Sequence, residues 1–292
     1  MKVALFGKAL AGENYAYMRQ MFENFRRRNI GVSIYKYFLP ALIPSMPDDY
    51  EYDLFESREQ ILGKVDIILS VGGDGTILDL VPLVLDSGMP ILGVNMGRLG
   101  FLSCMSKDDI SRTITMLLEG KYTLEPRSVL ELVSNTYLAD EMTFALNELS
   151  VIRNPEFSFL DIKVYVDGVY LSTYWGDGIL VATPTGSTAY SLSAGGPIIT
   201  PNSKSFVITP IAAHNLTVRP IIIPDDSEVT IHVEGRDKIF VFSLDSRSCK
   251  MDNSITLVVR KAKFYINLVR LDGNDFFSAI RNKLMWGKDN RN

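Results

Sequence analysis

Histidine and cysteine are nearly missing from this chain, and their scarcity narrows its chemistry. The only histidines, His214 and His232, lack the local spacing of a multi-histidine metal site, which argues against a zinc enzyme. The two cysteines, Cys104 and Cys249, form no CxxC pair, so reduced core thiols of a cytosolic protein are expected rather than a disulfide. No apolar run reaches the roughly 18 residues needed to span a bilayer. The formal charge of −4 gives no global attraction to nucleic acid or to an anionic membrane. Residues 1–7 are too short for the apolar stretch of a signal peptide and read as a first strand. No repeat or low-complexity tract is present. With 47% hydrophobic residues and a length of 292, the chain has the composition of a globular protein with room for two domains.

The order of apolar patterns divides the chain. Residues 3–6, 32–38, 65–71 and 90–94 read as strands, and 15–28 as an amphipathic helix with Met18, Met21, Phe22 and Phe25 on one face. Residues 40–47 are proline-rich and read as a loop, and 108–119 as a helix ending at Gly120. This alternation implies a parallel sheet covered by helices. From about residue 122 strand follows strand: 122–133, 142–151, 160–166, 169–174, 179–182, 206–209, 228–233, 238–244, 254–259 and 264–271. Asp167-Gly168 marks a two-residue hairpin turn. Residues 275–286 return to helical spacing and are expected to pack back on the first domain. The predicted fold is an α/β N-terminal domain with a Rossmann-like parallel sheet, residues 1–121 completed by the helix at 272–292, and a β-rich domain at 122–271.

Gly72-Gly73-Asp74-Gly75-Thr76 follows the strand at 65–71 directly, and a helix over 76–85 is expected after it. Glycines there allow a sharp turn and a close approach of backbone N–H groups, and a helix N-terminus favours an anion. A carboxylate in a phosphate-friendly loop makes sense where Asp74 takes a proton, or faces a metal, beside a phosphoryl group. Read alone, it is also compatible with a corner whose Asp stabilises the turn. No Lys-Ser or Lys-Thr follows at P-loop spacing, and position 78 is Leu where a dinucleotide fingerprint needs Gly. Asn147-Glu148 interrupts an apolar run, either as a solvent-facing edge or as an amide and a carboxylate for a base and a ribose diol. Asp177-Gly178 and residues 183–197 form the densest polar stretch, a short helix over 186–194 capped by Ser187 or Thr188. That stretch is either a capped surface helix or a ligand-binding corner. No Gly-x-Ser-x-Gly elbow supports a hydrolase. Asp245-Ser246-Arg247 reads as a plain β-turn, His214 as structural, and Tyr174-Trp175 as packing.

Together these segments resemble the NAD kinase family. The match runs through Gly-Gly-Asp-Gly-Thr at 72–76, Asn-Met-Gly-Arg-Leu-Gly-Phe-Leu at 95–102, Leu-Asn-Glu at 146–148, Asp-Gly at 177–178, Thr-Pro-Thr-Gly-Ser-Thr-Ala-Tyr-Ser-Leu-Ser-Ala-Gly-Gly-Pro at 183–197 and Asp-Ser at 245–246, in family order. The resemblance implies an ATP- and divalent-metal-dependent transfer of a phosphoryl group to the 2′-hydroxyl on the adenosine ribose of NAD, giving NADP. It implies Asp74 as proton acceptor, Gly72, Gly73, Gly75 and Thr76 as phosphate loop, and Asn147 and Glu148 at the adenosine. It further implies that Asp177 and Thr188, Ala189, Tyr190, Ser191, Leu192 and Ser193 line the dinucleotide site. Ser158, Trp175, Ala212 and Arg247 complete the NAD-binding set. The family often carries a basic residue at 175, a glutamine at 247 and a basic or histidine residue at 158. No protein-only metal cage is visible, consistent with Mg²⁺ held largely by phosphates and water. The implied protein is a cytoplasmic homo-oligomer, dimer or tetramer, that binds NAD and ATP and neither nucleic acid nor membrane. Two other functions fit parts of the pattern: a Gly-Gly-Asp-Gly-Thr kinase acting on a lipid or sugar, and an NAD sensor without catalysis.

Overall fold

The computed structural model describes residues 1–292 except 98–99, 104, 107–108, 137, 140–141, 155–158, 235–238, 272–274 and 288–292. The chain forms two compact units, Met1–Pro126 with Ile266–Asn292, and Arg127–Tyr265.

The first unit is an α/β layer. Its strands lie in the order Asp53–Phe55, Gly31–Tyr35, Lys2–Phe6, Ile67–Val71, Ile91–Asn95, all parallel. The end of Thr256–Leu271 adds alongside through Leu268 opposite Ile91. Ile67–Val71 and Ile91–Asn95 are buried at every position, as strands covered on both faces must be. Met18, Met21, Phe22 and Phe25 of the helix Tyr15–Arg27 fill one core with Leu5, Ile34, Leu69 and Leu92. The order of strands reverses between Lys2–Phe6 and Ile67–Val71. In open α/β sheets the crevice outside the carboxyl ends at such a switch point is where ligands bind. The Gly-Gly-Asp-Gly-Thr segment leaves Ile67–Val71 at that place.

Several local expectations are corrected here. The second strand stops at Tyr35, and the proline-rich stretch is the helical turn Leu39–Leu42 followed by a 3₁₀ turn at Ile43–Ser45. Proline is tolerated in a first helical turn because its missing N–H would have no partner there. The edge strand Asp53–Phe55 and the helix Arg58–Ile61, with a Ser57–Gln60 capping box, have no counterpart in the sequence reading. The helix expected over 76–85 begins two residues earlier, as Asp74–Val84. The next helix spans Ile110–Leu118 and the last Phe276–Lys283, its N-cap Asp275 accepting the Ser278 N–H at 2.9 Å.

The second unit is built from antiparallel strands in two sheets around a shared core. One contains Val169–Gly176, Leu160–Val166, Val229–Glu234 and the start of Thr256–Leu271. The other runs Ile221–Pro224, Ser205–Ile211, Gly178–Ala182, Glu148–Arg153, Ile239–Leu244, Arg247–Asp252. Ile162 and Val164 of the first meet Val151, Val181 and Phe242 of the second in one apolar cluster. Asp167 and Gly168 form the expected hairpin turn, with Val166 opposite Val169. The two strands expected over 254–259 and 264–271 are one, Thr256–Leu271, in which Arg260 and Lys263 are exposed while Ala262 is buried. The run expected over 142–151 is instead broken into Phe144–Ala145 and Glu148–Arg153. Cys249 is a free thiol on the edge strand Arg247–Asp252, half-buried rather than in the core, and Cys104 lies outside the described residues.

Candidate active site

Asp74 occupies the first position of its helix, at the end of the fully buried strand Ile67–Val71. Gly72 turns the chain there with φ of +152°, and a Cβ on it would meet Thr76 Oγ1 at 2.2 Å. The Asp74 carboxylate is partly exposed, yet both its oxygens are held by donors of the protein. Its Oδ2 accepts the Phe101 N–H at 2.7 Å, and its Oδ1 accepts the Leu102 N–H at 3.1 Å, the Ser103 N–H at 3.4 Å and the Ser103 hydroxyl at 3.1 Å. These donors come from the loop after Ile91–Asn95. Asn95 shapes that loop by bonding both the N–H and the carbonyl of Gly97, at 3.1 and 3.2 Å. Arg270, paired with Glu125, donates to the Phe101 carbonyl at 3.3 Å and pins its far end. From the C-terminal helix Lys283 brings its ammonium to 3.7 Å from Asp74 Oδ2. Gly73 and Gly75 are exposed with open space where a Cβ would stand, so their backbone is approachable.

In the second unit the anchor is Asp245, which sits in the expected turn, between the strands Ile239–Leu244 and Arg247–Asp252. Its side chain is wholly buried. It accepts N–H groups from Leu146 at 2.9 Å, Asn147 at 2.7 Å and Glu148 at 3.3 Å, so it holds three consecutive peptides where the chain enters the strand Glu148–Arg153. Arg247 supports it at 3.3 Å and bonds the Phe144 carbonyl at 2.5 Å. Thr183 holds the same segment from the other side, its hydroxyl donating to the Leu146 carbonyl at 2.6 Å and its N–H to the Asn147 carbonyl at 2.9 Å. Asn147 and Glu148 are therefore buried rather than solvent-facing, at 7% and 9% exposure. Among the described residues nothing hydrogen-bonds Asn147 Oδ1 or Glu148 Oε2. Burial, then the Asp245 charge, push the Glu148 carboxyl up to about 8, against the Tyr190 backbone N–H, and so favour its protonated form. Burial raises Asp245 as well, opposed by the three N–H bonds and Arg247.

Other expected residues fall in the same unit. Asp177 is ion-paired with Arg153 at 2.6 Å. Trp175 is 49% exposed while Tyr174 packs inward, so only half of that pair is packing. The Trp175 carbonyl accepts the backbone N–H of His214 at 2.6 Å, and the His214 side chain is exposed. Ala212, with φ of +44°, lies in the segment whose backbone backs onto Gly176. Residues 186–194 form a 3₁₀ turn at Gly186–Thr188 and one helical turn at Tyr190–Ser193. Neither Ser187 nor Thr188 caps it: Ser187 Oγ bonds the Pro184 carbonyl at 2.7 Å and takes the Ile199 N–H at 2.9 Å, and Thr188 Oγ1 bonds the Thr185 carbonyl at 3.2 Å. Ser191 is buried against Thr209 at 2.9 Å, whereas Tyr190 and Ser193 are exposed and Ala189 and Leu192 half-buried. Ser158 lies outside the described residues. Sequence reasoning missed Ser103, Arg270 and Lys283, and it met Asp245 only as a turn and as part of the match at 245–246.

A carboxylate fixed by backbone donors at a phosphate-type corner suits proton transfer beside a phosphoryl group, and this defines a phosphotransferase class. Residues 16–122 match the ATP-NAD kinase N-terminal domain and residues 146–271 the ATP-NAD kinase C-terminal domain. The chain is 40% identical to the NAD kinase of Flavobacterium psychrophilum and 38% identical to that of Bacteroides fragilis, with all of each chain covered. It belongs to the NAD kinase family. Its fold matches the crystal structure of yeast NADH kinase complexed with NADH, with a TM-score of 0.85 at 22% identity over 99% of this chain and 88% of that one. It also matches the NAD kinase from Archaeoglobus fulgidus in complex with ATP, with a TM-score of 0.72 at 25% identity over 98% and 99%.

Proposed function

We propose that this protein transfers the γ-phosphoryl group of ATP to the 2′-hydroxyl of the adenosine ribose of NAD, giving NADP. The observation that carries the reading is Asp74, oriented by the Phe101, Leu102 and Ser103 N–H groups at the switch point of the parallel sheet. Asp74 aligns the hydroxyl and takes its proton as the new bond to phosphorus forms. The approachable backbone of Gly73 and Gly75, with Gly72 and Thr76 shaping the turn, supplies donors to the nucleotide phosphates. Asn147 and Glu148 carry unmet hydrogen-bonding capacity, which the adenine edge and the ribose diol would satisfy. A protonated Glu148 both donates to and accepts from a diol, so it selects which hydroxyl is presented.

Asp177, Trp175, Ala212 and residues 188–193 form the remainder of the proposed dinucleotide site. Ser191 contributes through its backbone, its hydroxyl being committed to Thr209. Arg247 acts indirectly, by holding Asp245. Among the described residues no three His, Cys, Asp or Glu side chains gather. Mg²⁺, which dehydrates reluctantly, would be held largely by the nucleotide phosphates and water, with Asp74 kept as the proton acceptor. When bound, Mg²⁺ offsets the phosphate charge that Asp74 would otherwise face. The same reading makes the protein a cytoplasmic homo-oligomer, dimer or tetramer, with NAD and ATP as its ligands rather than nucleic acid or membrane. No helix among the described residues is long and apolar enough to cross a membrane.

The test is a substrate panel. Purified protein with Mg²⁺ is given NAD, NADH, a sugar phosphate or a lipid alcohol, each with ATP or polyphosphate. NADP formed from NAD and ATP is expected. Transfer to the sugar or lipid instead would make it a different kinase. Thermal stabilisation by NAD without product would make it a sensor.

A further inference from the structure

Arg281 and Lys283 both lie in the last turn of the helix Phe276–Lys283, where cations complement the helix dipole. Arg281 stays on its own helix, donating to Ser278 Oγ at 2.9 Å. Lys283 does not. Its ammonium stands 4.4 Å from the centre of the Phe101 ring and 3.7 Å from Asp74 Oδ2, the oxygen that also takes the Phe101 N–H. An aromatic face and a carboxylate thus fix where this cation sits. At 3.7 Å it is beyond hydrogen-bond length, and among the described residues nothing accepts its N–H groups. Its three donors are unspent beside the proposed proton acceptor.

We propose that Lys283 is a catalytic residue of the transfer, its ammonium binding the oxygens of the phosphoryl group as that group passes to the hydroxyl held by Asp74. The inference rests on the proposed role of Asp74. The oxygen that Asp74 deprotonates is the one that bonds phosphorus, so the phosphoryl oxygens lie two bonds from it. A cation held beside the same carboxylate is within reach of them. In the step, the O2′–P bond forms while the bond from Pγ to the β,γ-bridging oxygen breaks. ADP leaves with that electron pair, the hydroxyl proton goes to Asp74, and Lys283 neither gains nor loses a proton. Charge in such a transition state is spread over the three equatorial oxygens, where a fixed cation acts.

The test compares Lys283→Met, Lys283→Gln and Lys283→Arg with wild type for NADP formation, apparent KM for NAD and melting temperature. Loss of the cation should lower kcat by about 10²-fold, the size expected for one electrostatic contact to a transition state. The KM for NAD and the melting temperature should hold, and Lys283→Arg should recover most of the rate. The Gln variant, which keeps much of the stem, repeats the test if the Met variant melts early. Full kcat in the Met or Gln variant overturns the proposal, as does a loss that Arg fails to rescue. A wild type that makes NADP while the neutral variants match it removes only Lys283 from the chemistry. A wild type that makes none overturns the functional reading and this inference together.

Discussion

Gly100 leaves the space that the Asp74 carboxylate fills: a Cβ at Gly100 would stand 1.7 Å from Asp74 Oδ1. The atom in the way is the group proposed to do the chemistry, so any side chain at 100 displaces it from the Phe101 and Leu102 N–H groups. Gly100→Ala should lower turnover by about 10²-fold, as a displacement near 1 Å does. It should also cost about 1–3 kcal/mol of stability through overpacking. Steady-state kinetics beside a melting curve separates the two effects.

Asp245 and Asn147 are 98 positions apart, yet the 2.7 Å bond between them orders the segment that presents Asn147 and Glu148. Asp245→Ala would leave three buried N–H groups without acceptors. Unfolding in denaturant should show a loss of about 3 kcal/mol or more. An unchanged midpoint would mean that the segment holds itself.

Glu148 supplies a pH signature. Its carboxyl is raised from 4.5 to about 8 in the folded protein, so the native state binds the proton more tightly than the unfolded chain. The associated stability is full below pH 4.5 and is lost as pH rises through about 8. Glu148→Gln, which cannot ionise, should lack this component. Melting temperatures measured across that range should move in favour of the variant as the pH climbs. Parallel curves for the two proteins would contradict a protonated Glu148.

Glu148→Ala addresses the substrate role. Removing a group that bonds the ribose diol should raise the apparent KM for NAD by about tenfold, the value of one to two hydrogen bonds, and leave that for ATP nearly untouched. Equal losses for both substrates would take Glu148 away from the ribose.

How far the sequence discloses this site depends on the range of each interaction. Residues 65–76 are legible because a buried parallel strand and a glycine turn are local patterns. Met18, Met21, Phe22 and Phe25 are legible because helical spacing repeats within one segment. Asp245 is not: three residues around a strand end look like any β-turn, and its partners arrive from another strand. Lys283 likewise looks like an ordinary lysine at a helix C-terminus until the fold brings it to Asp74. Arg247–Asp252 escaped because an edge strand alternates polar residues with half-buried ones and carries no apolar run. The fate of the hydroxyls in 185–191 was hidden for a different reason. Ser187 Oγ accepts the Ile199 N–H while donating to the Pro184 carbonyl, and Ser191 Oγ pairs with Thr209; the partners at 199 and 209 are ones no local capping rule anticipates.

The most direct measurement is NADP formation from NAD, ATP and Mg²⁺ by wild type and by Asp74→Asn, with the position of the new phosphate identified in the product. Wild type should yield the 2′-phosphate, and Asp74→Asn should stay folded and turn over about 10²–10⁴-fold more slowly, the usual weight of a general base. Near-normal turnover by a folded Asp74→Asn, or no NADP from wild type, would contradict the account.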